Sequence, residues 1–357
     1  MNIRAAAAGL LLSAAVILQA SPVTSAWDYN LFSFGDVDVT SDAEGKIAAR
    51  GDVVLNGFSV NDAQEENLEV SYIDDRLSLE SLVVGGSLGF ENGSVKNGGL
   101  YVGGDLDYLN GFRVEGDVSI KGDANFGDGS FGRDGNPDYT PTVTVEGEVS
   151  ATTPDYIRDQ IVNQPAGDIP VDFDAEYEDV KALSEEYASQ SEANTSKEWD
   201  SDQLTLRGEN SDVNYFHLDG DEIDRINLLT FDLAEGSVAI INVEGQNVSI
   251  GGFDFKNPDG SNFTNSSSIL FNCYQATNMD MSGVRMQGSV LAMDAEVEFN
   301  NGEIHGNTIV GSISGTGGQF HIPLFNPPQD VPEPASLTLL GMGVLLLGAY
   351  ARGKKRS

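Results

Sequence analysis

Few side chains in this 357-residue sequence have the type and spacing to do chemistry. Of its three histidines, His217, His305 and His321, no two fall at the His-x-x-x-His spacing that puts two imidazoles on one face of a helix. Each reads as structural. Cys273, in Leu270-Phe271-Asn272-Cys273-Tyr274, is flanked by apolar residues and reads as a small buried hydrophobe rather than a nucleophile. A single cysteine also excludes an intramolecular disulfide and a Cys-based zinc knuckle. Gly127-Asp128-Gly129-Ser130-Phe131-Gly132 matches G-x-G-x-x-G, yet Arg133-Asp134-Gly135-Asn136-Pro137 follows where a dinucleotide site needs the start of a helix. Turn glycines explain the match better. Asp128, Asp134, Asn136 and Asp138 offer hard oxygen ligands at short spacing, the chemistry of a weak Ca²⁺ site. They lack EF-hand spacing and its closing Glu, and the plain alternative is a solvated corner. No other cofactor is expected.

The charge balance narrows the partners. Lys and Arg number 19 against 56 Asp and Glu, for a net charge of −37. Such a surface repels phosphate backbones and excludes nucleic acid as a partner. A polysaccharide lyase needs positive charge or Ca²⁺ beside an acidic sugar, and the few dispersed basic residues make a poor cradle. A glycosidase needs two facing carboxylates, which composition does not exclude. An enzyme acting on polysaccharide is therefore the rival reading, although no catalytic residue is expected.

Both ends read as addresses. Arg4 precedes an apolar run, Ala5 to Leu18, and Thr24-Ser25-Ala26 places small side chains at the −3 and −1 positions of a cleavage site. Residues 1–26 are expected to be a secretory signal peptide, cut before Trp27. At the other end, Pro332-Glu333-Pro334 precedes an uncharged stretch, Ala335 to Ala351, and then Arg352, Lys354, Lys355 and Arg356. As a helix, 335–351 would reach roughly 25 Å, enough for a thin bilayer, and the basic cluster would remain cytoplasmic.

The residues between must be positioned by a repeat. Asn92-Gly93, Asn110-Gly111 and Asp128-Gly129 follow one another at 18 residues, and Asn56-Gly57 lies 36 before the first. These dipeptides tolerate the left-handed backbone of tight turns. The rung due at 74 falls on Asp74-Asp75, so the acidic segment Gln64 to Arg76 is read as an insertion or a distorted coil. Gly86, Gly104 and Gly122 keep the same step. So do Val84, Val102 and Ile120, then Leu88, Leu106 and Ala124, then Phe90, Tyr108 and Phe126. Apolar residues alternate within each copy, the period of a strand. The expected fold is mainly β, a single β-helix of about 18-residue coils whose identical positions stack into ladders. Gly288 and Gly306, Val297 and Phe299, and the alternation from Ser237 to Ile250 extend the pattern less cleanly. From Asp174 to Ala188 the period changes: Tyr177, Val180, Leu183 and Tyr187 share one helical face, with Asp172 or Asp174 as the cap. One amphipathic helix packed along the β-helix is expected, with the polar run Ser189 to Asp200 as a returning loop. Residues 27–325 read as one domain and 326–331 as a linker.

The C-terminal pattern resembles the PEP-CTERM sorting signal of Gram-negative bacteria. That resemblance implies that an exosortase reads Pro332, Glu333 and Pro334, then releases the body or transfers it to the cell surface, after a stage at the inner membrane. The body resembles the choice-of-anchor A domain, through Phe34–Val60, Leu82–Leu106, Ile269–Ala276, Gln287–Ala292, Gly302–Ile313 and Gln319–Phe325. Met293 stands where related chains often have Pro, which would alter one corner. This resemblance implies an adhesive surface domain without established catalytic residues. The expected function is an exported cell-surface or extracellular-matrix adhesin-like protein that binds polysaccharide, matrix or cell-surface ligands. A glycan- or ice-binding module is a further alternative, but Thr142, Thr144, Thr152 and Thr153 do not repeat at 18, as a Thr ladder for ice would require.

Overall fold

The computed structural model describes residues 25–63, 80–132, 139–325 and 327–328. It is mainly β, and its main sheet system consists of parallel strands stacked in a solenoid-like column. One interior ladder runs through twelve strands: Phe216, Ile241, Phe271, Val290, Thr308, Leu31, Ile47, Leu82, Leu100, Val118, Val143 and Ile161. A second ladder carries Val248, Met279, Val297, Ile313, Val37, Val53, Leu88, Leu106 and Ala124. A third carries Met286, Ile304, Phe320, Ala43, Val60, Val95, Val114 and Phe131. Three faces thus enclose one apolar core. Each coil leaves both of its flanks unpaired until a neighbour covers them, which is why the residues repeat.

The order of the coils departs from the order of the sequence. Strand Leu31–Ser33 sits between Ile47–Ala49 and Thr308–His321, so the first coil packs on the last. From that seam the chain winds outward to Ile161–Asn163. It then crosses back through the helix Phe173–Ser189, and from Val213–Asp219 it winds inward again to the seam. Two buried asparagines weld the seam. Asn30 Nδ2 donates to the carbonyls of Gly306 and His321 at 2.7 and 3.1 Å, and its Oδ1 accepts from Gly45 N. Asn307 Nδ2 donates to the carbonyls of Trp27 and Tyr29, and its Oδ1 accepts from Phe325 N at 2.7 Å.

The 18-residue step appears as strand register. Val84 pairs with Val102 and Val102 with Ile120, Leu88 with Leu106 and Leu106 with Ala124, Phe90 with Tyr108 and Tyr108 with Phe126. Strand Val53–Val60 pairs directly with Leu88–Glu91 and Ser94–Val95, so no coil stands between them. The segment Gln64 to Arg76, read as an insertion or a distorted coil, falls in residues 64–79, outside the described ones. At the corners the repeat is a Gly-Asp step. Gly51, Gly86, Gly104 and Gly122 each donate N–H to the glycine carbonyl one coil back, at 2.7 to 3.0 Å. A Cβ on Gly122 would come within 2.5 Å of the Gly104 backbone, so no other residue fits so close an approach. The following side chains form a parallel chain of bonds. Asp36, Asp52, Ser87, Asp105 and Asp123 each accept the backbone N–H of their counterpart one coil on.

The helix Phe173–Ser189 begins where expected, with Asp172 Oδ1 accepting from Ala175 N. It turns Phe173, Glu176, Val180, Ser184 and Tyr187 inward, with Tyr177 and Leu183 at the margin. It can pack there because the first face also carries apolar residues on its outer side, Phe32, Ala48, Val83, Tyr101, Leu270, Leu291 and Ile309, which form a second core under the helix. Asn272 and Asn242 donate to the carbonyls of Ser184 and Tyr187 at 2.9 and 2.8 Å and fix the docking polar group by polar group. The run Ser189–Asp200 corrects the reading of a loop. Thr195–Asp200 is a strand, paired antiparallel with Gln203–Gly208 across a two-residue turn, with Thr195, Lys197 and Trp199 half-buried and Ser196, Glu198 and Asp200 exposed. With Leu228–Leu233 and Asp254–Lys256 it forms a separate four-stranded sheet. In the uncut chain Ser25 and Ala26 pack on the body: Ala26 is buried and its N–H donates to Glu176 Oε2 at 2.8 Å. Among the described residues no helix is long and apolar enough to cross a membrane, and the expected helix 335–351 lies outside them.

Candidate binding face

The outer side of the second face offers a regular surface. Its outward column reads Ser249, Asp280, Glu298, Ser314, Asp38, Val54, Gly89, Asp107 and Asn125. Beside it run Asn247, Asn278, Glu296 and Ser312. Parallel strands hold these side chains about 4.8 Å apart along the column. Neighbours on the column bond to each other: Asn125 Nδ2 donates to Asp107 Oδ1 at 2.8 Å and Asn278 Nδ2 to Asn247 Oδ1 at 3.3 Å.

Two grooves open on this face. One, about 600 Å³, lies between the strands and the short helix Gly220–Asp224, which contributes Asp221 and Asp224. The other, about 700 Å³, is lined by Asp105, Asp107, Asp123, Asn125, Glu148 and Ser150 among others. Among the described residues no Lys or Arg lines either groove. Carboxylates and amides in register can hydrogen-bond hydroxyls or bind cations, but they disfavour a bare polyanion. The outward Asp and Glu also interrupt any Thr array.

The residues singled out in the sequence scatter. Asp128 lies in strand Ala124–Phe131 and accepts from Tyr156 OH at 3.2 Å, while Asp134, Asn136 and Asp138 lie outside the described residues. Gly127 to Phe131 of the G-x-G-x-x-G run lie in that strand, with a bulge at Asp128/Gly129, and residues 133–138 after it lie outside the described ones. Pro332, Glu333, Pro334, Arg352, Lys354, Lys355 and Arg356 also lie outside the described residues. His217 Nε2 lies 2.8 Å from the carbonyl of Gln190, a structural contact. His305 and His321, unpaired by spacing in the sequence, stack on adjacent coils with ring centroids 4.7 Å apart. Burial, then the neighbouring His321, lowers the pKa of His305.

Cys273 is buried, and burial pushes its thiol up to about 12. At pH 8 it is a thiol with no path to solvent, so the folded chain is expected to resist iodoacetamide, whereas the chain in denaturant reacts. Mass spectrometry of the two samples checks this, and rapid native labelling would refute the buried placement.

A family model described as "Putative Ice-binding-like adhesive domain" matches residues 22–322. The PEP-CTERM protein-sorting motif matches residues 330–356. No curated protein and no solved structure matches the chain.

Proposed function

From the premise that the chain belongs to the ice-binding-like adhesive domain family and carries a PEP-CTERM sorting motif, we propose that it is an exported, surface-presented adhesin. In this reading residues 1–26 direct export and are cut before Trp27. An exosortase reads Pro332-Glu333-Pro334 while helix 335–351 and the basic tail hold the chain in the inner membrane of a Gram-negative cell. The body, 27–325, then reaches the cell surface or extracellular matrix, released or covalently attached. The choice-of-anchor A resemblance is compatible with this assignment.

The observation that carries the binding role is the register of the second face. A ligand built of repeating hydroxyl-bearing units, as a polysaccharide is, meets a column of carboxylates, amides and hydroxyls repeating at the strand spacing. Each contact is weak, and many contacts on one rigid surface act together. A divalent cation shared between these carboxylates and an anionic polymer would widen the range of ligands.

The test is binding of the purified protein to an array of extracellular polysaccharides and matrix proteins, with Ca²⁺ and with chelator. Saturable binding without turnover is expected, and Asp280→Lys with Glu298→Lys should weaken it at least about 10-fold, the loss of two charge-assisted contacts. Arg207→Ala, on the separate four-stranded sheet, should leave it unchanged. Depolymerised glycan would replace the adhesin with an enzyme, and inhibited ice growth would move the ligand to ice.

A further inference from the structure

A cluster outside the binding face brings metal-ligand chemistry together. Strand Glu303–His305 pairs in parallel with the end of Thr308–His321, setting His305 directly beside His321. One ligand atom each from Glu303, His305 and His321 lies within 4.8 Å of the others. The three side chains are part-buried, at 35, 29 and 21% exposure, so they are held in place yet reachable from solvent. His321 is oriented from behind: its Nδ1 lies 3.1 Å from Glu44 Oε1, while Glu44 Oε2 accepts the N–H of Ile322 at 3.0 Å. A carboxylate on Nδ1 leaves Nε2 with its lone pair, as at the histidines of metal sites.

We propose that Glu303, His305 and His321 bind one transition-metal dication of the zinc type, with Glu44 orienting His321. Two imidazoles and one carboxylate suit such an ion and disfavour Ca²⁺ or Mg²⁺, which take oxygen ligands. Bonds of about 2.0–2.1 Å in a tetrahedron require donors about 3.3 Å apart, so small rotamer changes close the cluster on the ion. An open groove beside Glu303 and His305 leaves the fourth position to water or an exchangeable ligand. Arg285 Nη2, 3.8 Å from Glu303 Oε1, is the cation that the metal must outcompete. The site has a structural role: the ion ties the strand Glu303–His305 to the end of Thr308–His321, and Glu44 of the first coil joins it only through His321.

Zn²⁺ is titrated into the chelator-stripped full-length chain against a chromogenic chelator, and Co²⁺ is added separately to read its ligand-field bands. One equivalent of tight binding with tetrahedral Co²⁺ bands is expected. His305→Gln and His321→Gln should each abolish the bands, and Glu44→Gln should weaken Zn²⁺ about 10-fold. Arg285→Ala should tighten binding, and His217→Gln should leave it unchanged. Zn²⁺ at a hundredfold excess over Kd should raise Tm by roughly 5 °C in the wild type and not in His305→Gln. Circular dichroism of the metal-free variants separates lost ligands from lost fold. Uptake no greater than in the His305/His321 double variant, binding that survives that variant, or an equal Tm rise with Ca²⁺ would overturn the proposal.

Discussion

Asn307→Ala is expected to destabilise the protein by about 4 kcal/mol and to lower Tm by roughly 8 °C. Asn307 is fully buried and serves both sides of the seam. Its amide satisfies two carbonyls near the N-terminus, its carbonyl satisfies Phe325 N–H, and its own N–H donates to Ser289 Oγ at 2.8 Å. Alanine keeps only the last of these bonds. It strands several buried polar groups at about 1–3 kcal/mol each, softened by local relaxation. Urea unfolding measures the loss, and hydrogen exchange locates it. Amides of Leu31–Ser33 should lose protection before those of Val118–Ile120, which pair with other coils. A cost below about 1 kcal/mol would mean that the seam does not depend on this side chain.

Tyr108→Ala should cost a similar amount, about 4 kcal/mol, for a different reason. Tyr108 lies within an interior aromatic column, stacked on Phe90 with centroids 4.4 Å apart and planes within 8°, and tilted against Phe112 at 4.8 Å. Removing the ring opens a cavity that the rigid ladders on either side cannot close. Tyr108→Phe keeps the ring and loses only the bond from the hydroxyl to the Gly93 carbonyl at 3.1 Å, so it should cost about 1 kcal/mol. If both substitutions cost the same, the hydrogen bond rather than the packing holds this layer.

That aromatic column was legible in the sequence. Phe90, Tyr108 and Phe126 recur at 18, and each pairs with the next across one strand spacing. Where every coil has the same length, distance along the chain and position in the stack are the same variable. Beyond that stretch they separate. Neighbouring strands pair at offsets of 25 between Val213 and Val238, 30 between Ala239 and Ile269 and 31 between Asn247 and Asn278, so the far end carries no fixed period. The helix was legible because its period differs from that of the strands. Its inward stripe is rotated toward Glu176 and Ser184, polar residues that hydrophobicity passes over but that find Ala26 N–H and Asn272 Oδ1. The seam had no local signal: Leu31 and Thr308 meet only because the chain turns back. The same holds for His305 and Glu44, on either side of His321. The Gly-Asp corners left a trace in Gly104-Asp105 and Gly122-Asp123, where the glycines stood out and the aspartates did not.

The joining of the first coil to the last also decides how the molecule takes mechanical load. Trp27 and Phe325 touch, with ring centroids 5.5 Å apart, so a tether attached after Phe325 leaves from the middle of the stack rather than from either tip. Tension on it is delivered to strand Thr308–His321, which is hydrogen-bonded on one flank to Ser289–Glu298 and Glu303–His305 and on the other to Leu31–Ser33 and Val37–Ala43. A terminal coil would peel away by breaking one ladder. This strand has to break two at once.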